Sequence, residues 1–274
     1  MFKAIIVFLI MFALIVGIFL SPWLVTQWQK RLIKRPFPSH WSRIIEQKVP
    51  IYSYLSPALR QRLQGHIQVF LALKQFIGCG GLQVTEEMRV IIATQACLLL
   101  LNERGKYFPK LKSILVYPNA YVIKNTRSVS SHIVEEKQEV RLGESWSRDQ
   151  LVLSWAQIEQ DILYPNDGHN LILHEFAHQL DSEDGHANGV PRLPKRLDYG
   201  TWSSIMGIEY QQLCEDVSRG RKTTLYAYGA TAPAEFFSVA TETFFEKPHS
   251  LLKNHAELYN ILRNYYQLDP VQWS

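Results

Sequence analysis

A chain of 274 residues with 47% apolar and 20% charged side chains can bury a sizeable core, which excludes a disordered or low-complexity protein. Its 29 basic and 25 acidic residues give a formal charge of +4, but five of the basic ones fall in residues 1–35, where there is no acid; the rest is close to neutral and is not expected to bind nucleic acid directly. Three cysteines, Cys79, Cys97 and Cys214, with no CxxC, exclude a disulfide framework and suit a reducing compartment.

Ala4 to Leu20 is an apolar run of 17 residues. As a helix rising about 1.5 Å per residue it covers roughly 26 Å, and Trp23 and Trp28 suit the headgroup level, so residues 1–25 are expected to form a transmembrane anchor. A cleaved secretory signal is the competing reading. Its apolar core would be shorter, and Phe19-Leu20-Ser21-Pro22-Trp23 makes a poor cleavage site. Lys3 precedes the run and Lys30, Arg31, Lys34 and Arg35 follow it; the positive-inside rule then makes this a single-pass protein whose bulk faces the cytoplasm. The basic cluster can also touch anionic headgroups.

Prolines at 36, 38 and 50 mark residues 26–56 as a basic juxtamembrane and Pro-rich linker, with a short helix from Trp41 to Gln47. The folded domain is expected over 57–274. Leu59, Leu63, Ile67, Phe70 and Leu71 recur at helical spacing between Pro57 and Phe76. After the turn at Gly78-Cys79-Gly80-Gly81, Thr85 with Glu86 and Glu87 signals a helix start, and the helix runs to about Leu101. Strand-like runs follow at Ile114–Tyr117, Tyr121–Ile123, Ser131–Val134 and Gln150–Trp155, the last offering an edge for an extended peptide. Asn170 to Leu180 is helical, 185–200 is a loop, Trp202 to Arg219 is helical, and a last helix set begins where Thr231 caps and Pro233 enters the first turn. The fold class is α+β, mostly helical with a small twisted sheet.

The chemistry sits in His174-Glu175-Phe176-Ala177-His178. Residues four apart share a helix face, so His174 and His178 can present two imidazoles to one metal, with the Glu175 carboxylate beside it. Zinc takes His and carboxylate ligands, keeps a position open, and brings the pKa of a water there towards neutrality; Glu175 can then act as the base that moves the proton to the leaving amine. The neighbours are apolar, and a buried helix bearing two His and a Glu needs a reason for those polar groups. A third ligand is required. Asp184 stands six residues after His178 but lacks a glycine turn in between, and His186 reads as a loop histidine. Glu235, in Pro233-Ala234-Glu235-Phe236-Phe237, opens a helix, and Glu242 shares its face seven residues on. One of the two can bind metal while the other orients a ligating imidazole; the apolar surroundings favour Glu235 as the ligand.

Leu153-Ser154-Trp155, Asn170 to Asp181, Gly189-Val190-Pro191 and Pro233 to Phe237 together resemble the zinc peptidase family typified by Mlc titration factor A, which is similar around its site to the catalytic domain of anthrax lethal factor. The similarity covers about 36–274. It implies a zincin-like metallopeptidase fold, a Zn2+ cofactor held by His174, His178 and Glu235, Glu175 as the base, and Tyr228 pointing into the site, where its hydroxyl can stabilise an oxyanion. Tyr226 is the rival tyrosine, and Asp181 belongs to the matching motif as a helix-end cap or a support for the ligands. The resemblance further implies aminopeptidase-type hydrolysis of a peptide or protein substrate and, as a partner, a transcriptional repressor. The competing class is a membrane-tethered regulator that sequesters such a factor, with hydrolysis secondary.

Overall fold

The computed structural model describes residue 11 and residues 21–101, 106–119, 121–130, 133–141, 143–147 and 149–273, with the backbone alone over 121–147. The expected anchor at 1–25 lies mostly outside these residues, as do Ser131 and His132. Among the described residues no helix is long and apolar enough to cross a membrane.

Residues 21–33 are helical. Leu32 is buried, and Ile33 presses on Gly65, where a Cβ would come within 2.9 Å of its Cγ2. Gln68 Nε2 donates to the Arg35 and Pro36 carbonyls at 3.2 Å each. The following stretch corrects the expected linker. Helix α1 (Ser39–Lys48) and the turn α2 (Ile51–Tyr54) place Ile45, Val49, Tyr52 and Leu55 in the main core. The prolines delimit short helices here; they do not mark loose chain, because each helix keeps an apolar face on the core.

Helix α3 (Pro57–Leu73) is capped by Ser56 and ends sooner than its apolar spacing suggests. Lys74 turns extended, and Gln75–Gly78 becomes strand β1, a parallel partner of β2 (Ser113–Tyr117). Between them α4 (Glu86–Leu98), capped by Thr85, is buried along nearly all of its last three turns. It is buried on all sides from Val90 on because it packs against α1, α3 and the motif helix at the centre of the domain.

The hairpin β3 (Tyr121–Ser130) and β4 (Ile133–Arg141) forms its own two-stranded sheet. Strand β5 (Gly143–Ser147) returns antiparallel to β6 (Gln150–Ser154), completing a sheet of order β1-β2-β6-β5. Strand β6 pairs on both sides, with β2 and β5, so the peptide-pairing edge expected at 150–155 is not there; β5 is the edge on that side. The ladder also ends at Ser154, whose hydroxyl caps α5 (Trp155–Leu163). The architecture is α+β, mostly helical around this small sheet.

The motif helix α6 (Leu171–Asp181) packs on α8 (Pro233–Glu246), with α7 (Tyr199–Ser218), α9 (Pro248–Asn254) and α10 (Ala256–Tyr266) behind. Pro233 starts α8 as expected, but Thr231 does not cap it; its hydroxyl donates to the Tyr228 carbonyl at 2.7 Å. Trp202 is fully buried between Phe237 and Tyr265, and its indole donates to the Gly189 carbonyl at 3.2 Å.

Gly189 ties the 185–200 loop to both site helices. Its N–H donates to Asp181 at 2.8 Å, its φ is +78°, and a Cβ there would meet the Pro233 carbonyl oxygen at 2.4 Å. Gly189→Ala should therefore lower stability by about 2 kcal/mol or more, from the left-handed backbone and the push on the start of α8. Denaturant unfolding checks this; an unchanged midpoint would show that the contact relaxes freely.

Candidate metal centre

Asn170 begins α6 with its side-chain oxygen accepting from Leu173 N at 3.0 Å. One turn on, His174 and His178 extend from the same face towards α8, and Glu235 reaches back from the first turn of α8. His174 Nε2 lies 3.0 Å from Glu235 Oε2, His178 Nε2 lies 3.1 Å from that oxygen, and the two imidazole nitrogens are 3.1 Å apart. Among the described residues these three side chains form the group whose ligand atoms converge closely enough to hold a metal ion.

Glu242, two turns along α8 from Glu235, receives the other nitrogen of His174: Nδ1 to Oε1 is 2.7 Å. A carboxylate there accepts a hydrogen bond from Nδ1–H, and in the neutral ring this leaves the Nε2 lone pair aimed into the triangle. Ligands about 2.0–2.1 Å from a tetrahedral zinc ion lie about 3.3 Å apart, near the observed separations. Electrostatics agree. Burial opposes charge on His174, yet the Glu242 and Glu235 carboxylates outweigh it and raise the imidazole well above its usual value. Glu235 is half-buried, which opposes its charge, but hydrogen bonds from both imidazoles hold its carboxyl well below the usual range. The space between the three ligand atoms therefore favours a positive charge, and the donor set fits zinc.

Glu175 is buried beside this triangle, and burial pushes its carboxyl up against the pull of the His174 and His178 imidazoles. Tyr228, on the 3-10 turn Ala227–Ala230, sets its ring 6.0 Å from that of His174 and remains about half exposed. Tyr226 leans elsewhere, its ring 4.3 Å from His169. Asp184 is exposed and accepts from the His186 backbone at 2.9 Å, so the structure brings neither Asp184 nor His186 to the triangle. Asp181 is fully buried and holds Gly189.

Sequence reasoning left Asp161, Asn170 and Glu246 without individual roles. Glu242 is pinned at its second oxygen by Asn170 N at 2.7 Å. Glu246 accepts from Asn170 Nδ2 at 3.0 Å and Asn166 N at 2.6 Å. Asp161 accepts from Leu171 N and Gln157 Nε2, each at 2.8 Å. Glu235, Glu242 and Glu246 follow an i, i+7, i+11 spacing that lines one face of a helix, a signal the sequence carried for Glu246. Asp161 carried none, because the partner that ties it to the motif helix, Leu171 N, is a backbone amide on another helix.

This arrangement can be set beside known proteins. The family described as glucose-regulated metallo-peptidase M90 matches the chain over residues 24–267. The chain belongs to this family. An uncharacterized protein of Synechocystis sp. is 47% identical over 267 residues, covering 96% of this chain and 97% of its own. Mlc titration factor A of Klebsiella pneumoniae is 29% identical over 227 residues, covering 82% and 84% respectively. That of Yersinia pestis is 28% identical over 226 residues, covering 81% and 83%. Membership makes the chain a relative of metallopeptidases, and so implies a metal.

Two acids in the supporting network carry a pH signature. Burial raises Asp161 to about 6 and Glu246 to about 7. Both bind protons more tightly when folded than in the unfolded chain, where carboxyls titrate near about 4. The folded state holds the extra protons between those values, so their contribution to stability is present at acid pH and is lost as pH rises through about 7. For Glu246 the full change is on the order of 3 kcal/mol. His66, lowered to about 4 by burial, titrates with the opposite sign over part of this range, so the signature is read as a difference. Urea unfolding of metal-stripped protein should show wild type losing stability relative to Glu246→Gln from about pH 5 to about pH 8; a difference that stays constant across this window contradicts the assignment.

Proposed function

We propose that this chain is a zinc-dependent peptidase of zincin-like fold, with His174, His178 and Glu235 as ligands and Glu175 as general base. The observation that carries this reading is the convergence of two imidazoles and one carboxylate within 3.0–3.1 Å, with Glu242 orienting His174 from behind. Zinc held there would supply Lewis acidity to a substrate carbonyl and to water.

The chain's own residues do the rest. Glu175 takes a proton from the attacking water and delivers it to the amine nitrogen as the peptide bond breaks; its burial, by raising its proton affinity, suits both halves of that task. Glu242 keeps the proton on His174 Nδ1 throughout. The Tyr228 hydroxyl donates to the oxyanion as the carbonyl carbon becomes tetrahedral; the exposure of Tyr228 at the rim supports this role. By family resemblance the activity is of aminopeptidase type.

The apolar run at 4–20 supports a single-pass anchor, and the basic residues Lys30, Arg31, Lys34 and Arg35 support a cytoplasmic catalytic domain. Trp23, Leu24, Val25 and Trp28 are exposed on the helix that follows the run, as chain at a bilayer surface would be. A second reading rests on the relatives called Mlc titration factor A. In it the chain acts as a tethered regulator that sequesters a transcriptional repressor, and hydrolysis is secondary.

Glu175→Gln separates the two. It should retain stoichiometric zinc by metal analysis and lose activity on a peptide library by about 100-fold or more. If the variant keeps full biological activity, hydrolysis is not the main function. Glu242→Gln should instead weaken zinc binding by about 10–100-fold, because the neutral amide offers one acceptor oxygen where Glu242 offers two, for His174 Nδ1 and Asn170 N. Chelator competition measures this; an unaltered zinc affinity would remove Glu242 from the supporting role. A reporter fused to the C-terminus tests the orientation.

A further inference from the structure

A small polar cleft lies at the amino end of the motif helix. Its interior of about 20 Å³, room for one water-sized group, sits between the end of α1, the buried helix α4 and the α5–α6 turn. Its polar lining is Lys48, Gln95, Asp161, Asn166, Asn170 and Glu246.

The unspent capacity in this lining is for accepting. Asp161 and Glu246 each accept one hydrogen bond at each oxygen, which leaves lone pairs on all four oxygens. Gln95 is 5% exposed, and its side-chain carbonyl oxygen is buried without a hydrogen-bond partner. A buried, unpaired amide oxygen carries a desolvation cost that a bound donor or cation removes. Charge points the same way. The amino end of α6 supplies about half a positive charge, against the three carboxylates Asp161, Glu242 and Glu246. Lys48, at the end of α1, is the one basic side chain among the lining residues, and it is half-exposed. The carboxyls of Asp161 and Glu246 are raised by burial, as expected of acids gathered without a cation beside them.

We propose that this cleft binds a small cation through Asp161, Glu246 and the Gln95 carbonyl. All three donors are oxygens, the chemistry of a hard cation rather than of zinc. The site is distinct from the metal triangle but wired to it: Glu246 holds Asn170, Asn170 N holds Glu242, and Glu242 holds His174. A cation that draws on Glu246 therefore acts on the residue that orients the first zinc ligand.

The test uses the full chain in detergent, loaded with zinc. Its unfolding midpoint is titrated with calcium, magnesium or potassium chloride, with choline chloride at matched ionic strength as the control. One of the three cations should raise the midpoint saturably where choline does not, and should slow zinc release to a chelator severalfold. Gln95→Leu, which leaves both carboxylates in place, should weaken the apparent cation affinity at least tenfold while zinc content stays unchanged. Glu246→Gln should do the same if it folds, and Lys48→Met should tighten binding. A response no larger than that of choline, or one undiminished in Gln95→Leu, overturns the proposal. None of these readouts depends on peptidase activity.

Discussion

The 2.7 Å hydrogen bond between His174 Nδ1 and Glu242 joins the two helices on which the site depends. It sets the tautomer of the first histidine and so decides where a lone pair points. It also pins α8 against α6 at the depth where Glu235 meets both imidazoles. Both oxygens of Glu242 are engaged, one by the ring and one by the amide of the helix cap, so neither helix can rotate without breaking a buried charge-assisted contact.

Three carboxylates on one face of α8 grip α6 at successive heights. Glu235 meets the two imidazoles, Glu242 the outer nitrogen of His174, and Glu246 the cap residue Asn170. Such a concentration of acid in a buried interface is costly unless every oxygen is matched. Here backbone amides at the start of α6, the Asn170 side chain and the histidines supply the donors. The apolar surroundings of α8, with Phe236, Phe237, Phe244 and Phe245 buried, keep water from competing for them. The same dryness pushes the Glu175 carboxyl up, which suits the general-base role proposed for it.

The rest of the domain serves to hold this pair of helices. The buried helix α4 packs on α6 from one side and on α1 and α3 from the other, so the segment expected as a linker is part of the support for the motif. Gly189, between Asp181 and Pro233, locks the loop after α6 to the start of α8. Helix 21–33 presses on Gly65 of α3, so the chain leaving the apolar run meets the folded body directly.

The sequence by itself singled out the side chains of the candidate metal centre. Two imidazoles four residues apart on a helix, a glutamate between them and a second glutamate at the start of a later helix are local facts, readable because helix geometry is nearly invariant. The helix cap at Thr85 and the α+β class were legible for the same reason. Which of Glu235 and Glu242 enters the triangle was left to their apolar surroundings and to resemblance, and the structure separates them: α6 and α8 are some sixty residues apart in sequence, and their relative height is set by packing. Only the tertiary structure decided that β6 is interior, since pairing on both sides involves strands remote from it. Burial of Ile45, Val49, Tyr52 and Leu55 and the cleft behind Asn170 likewise depend on contacts between distant segments, which no period in one segment encodes.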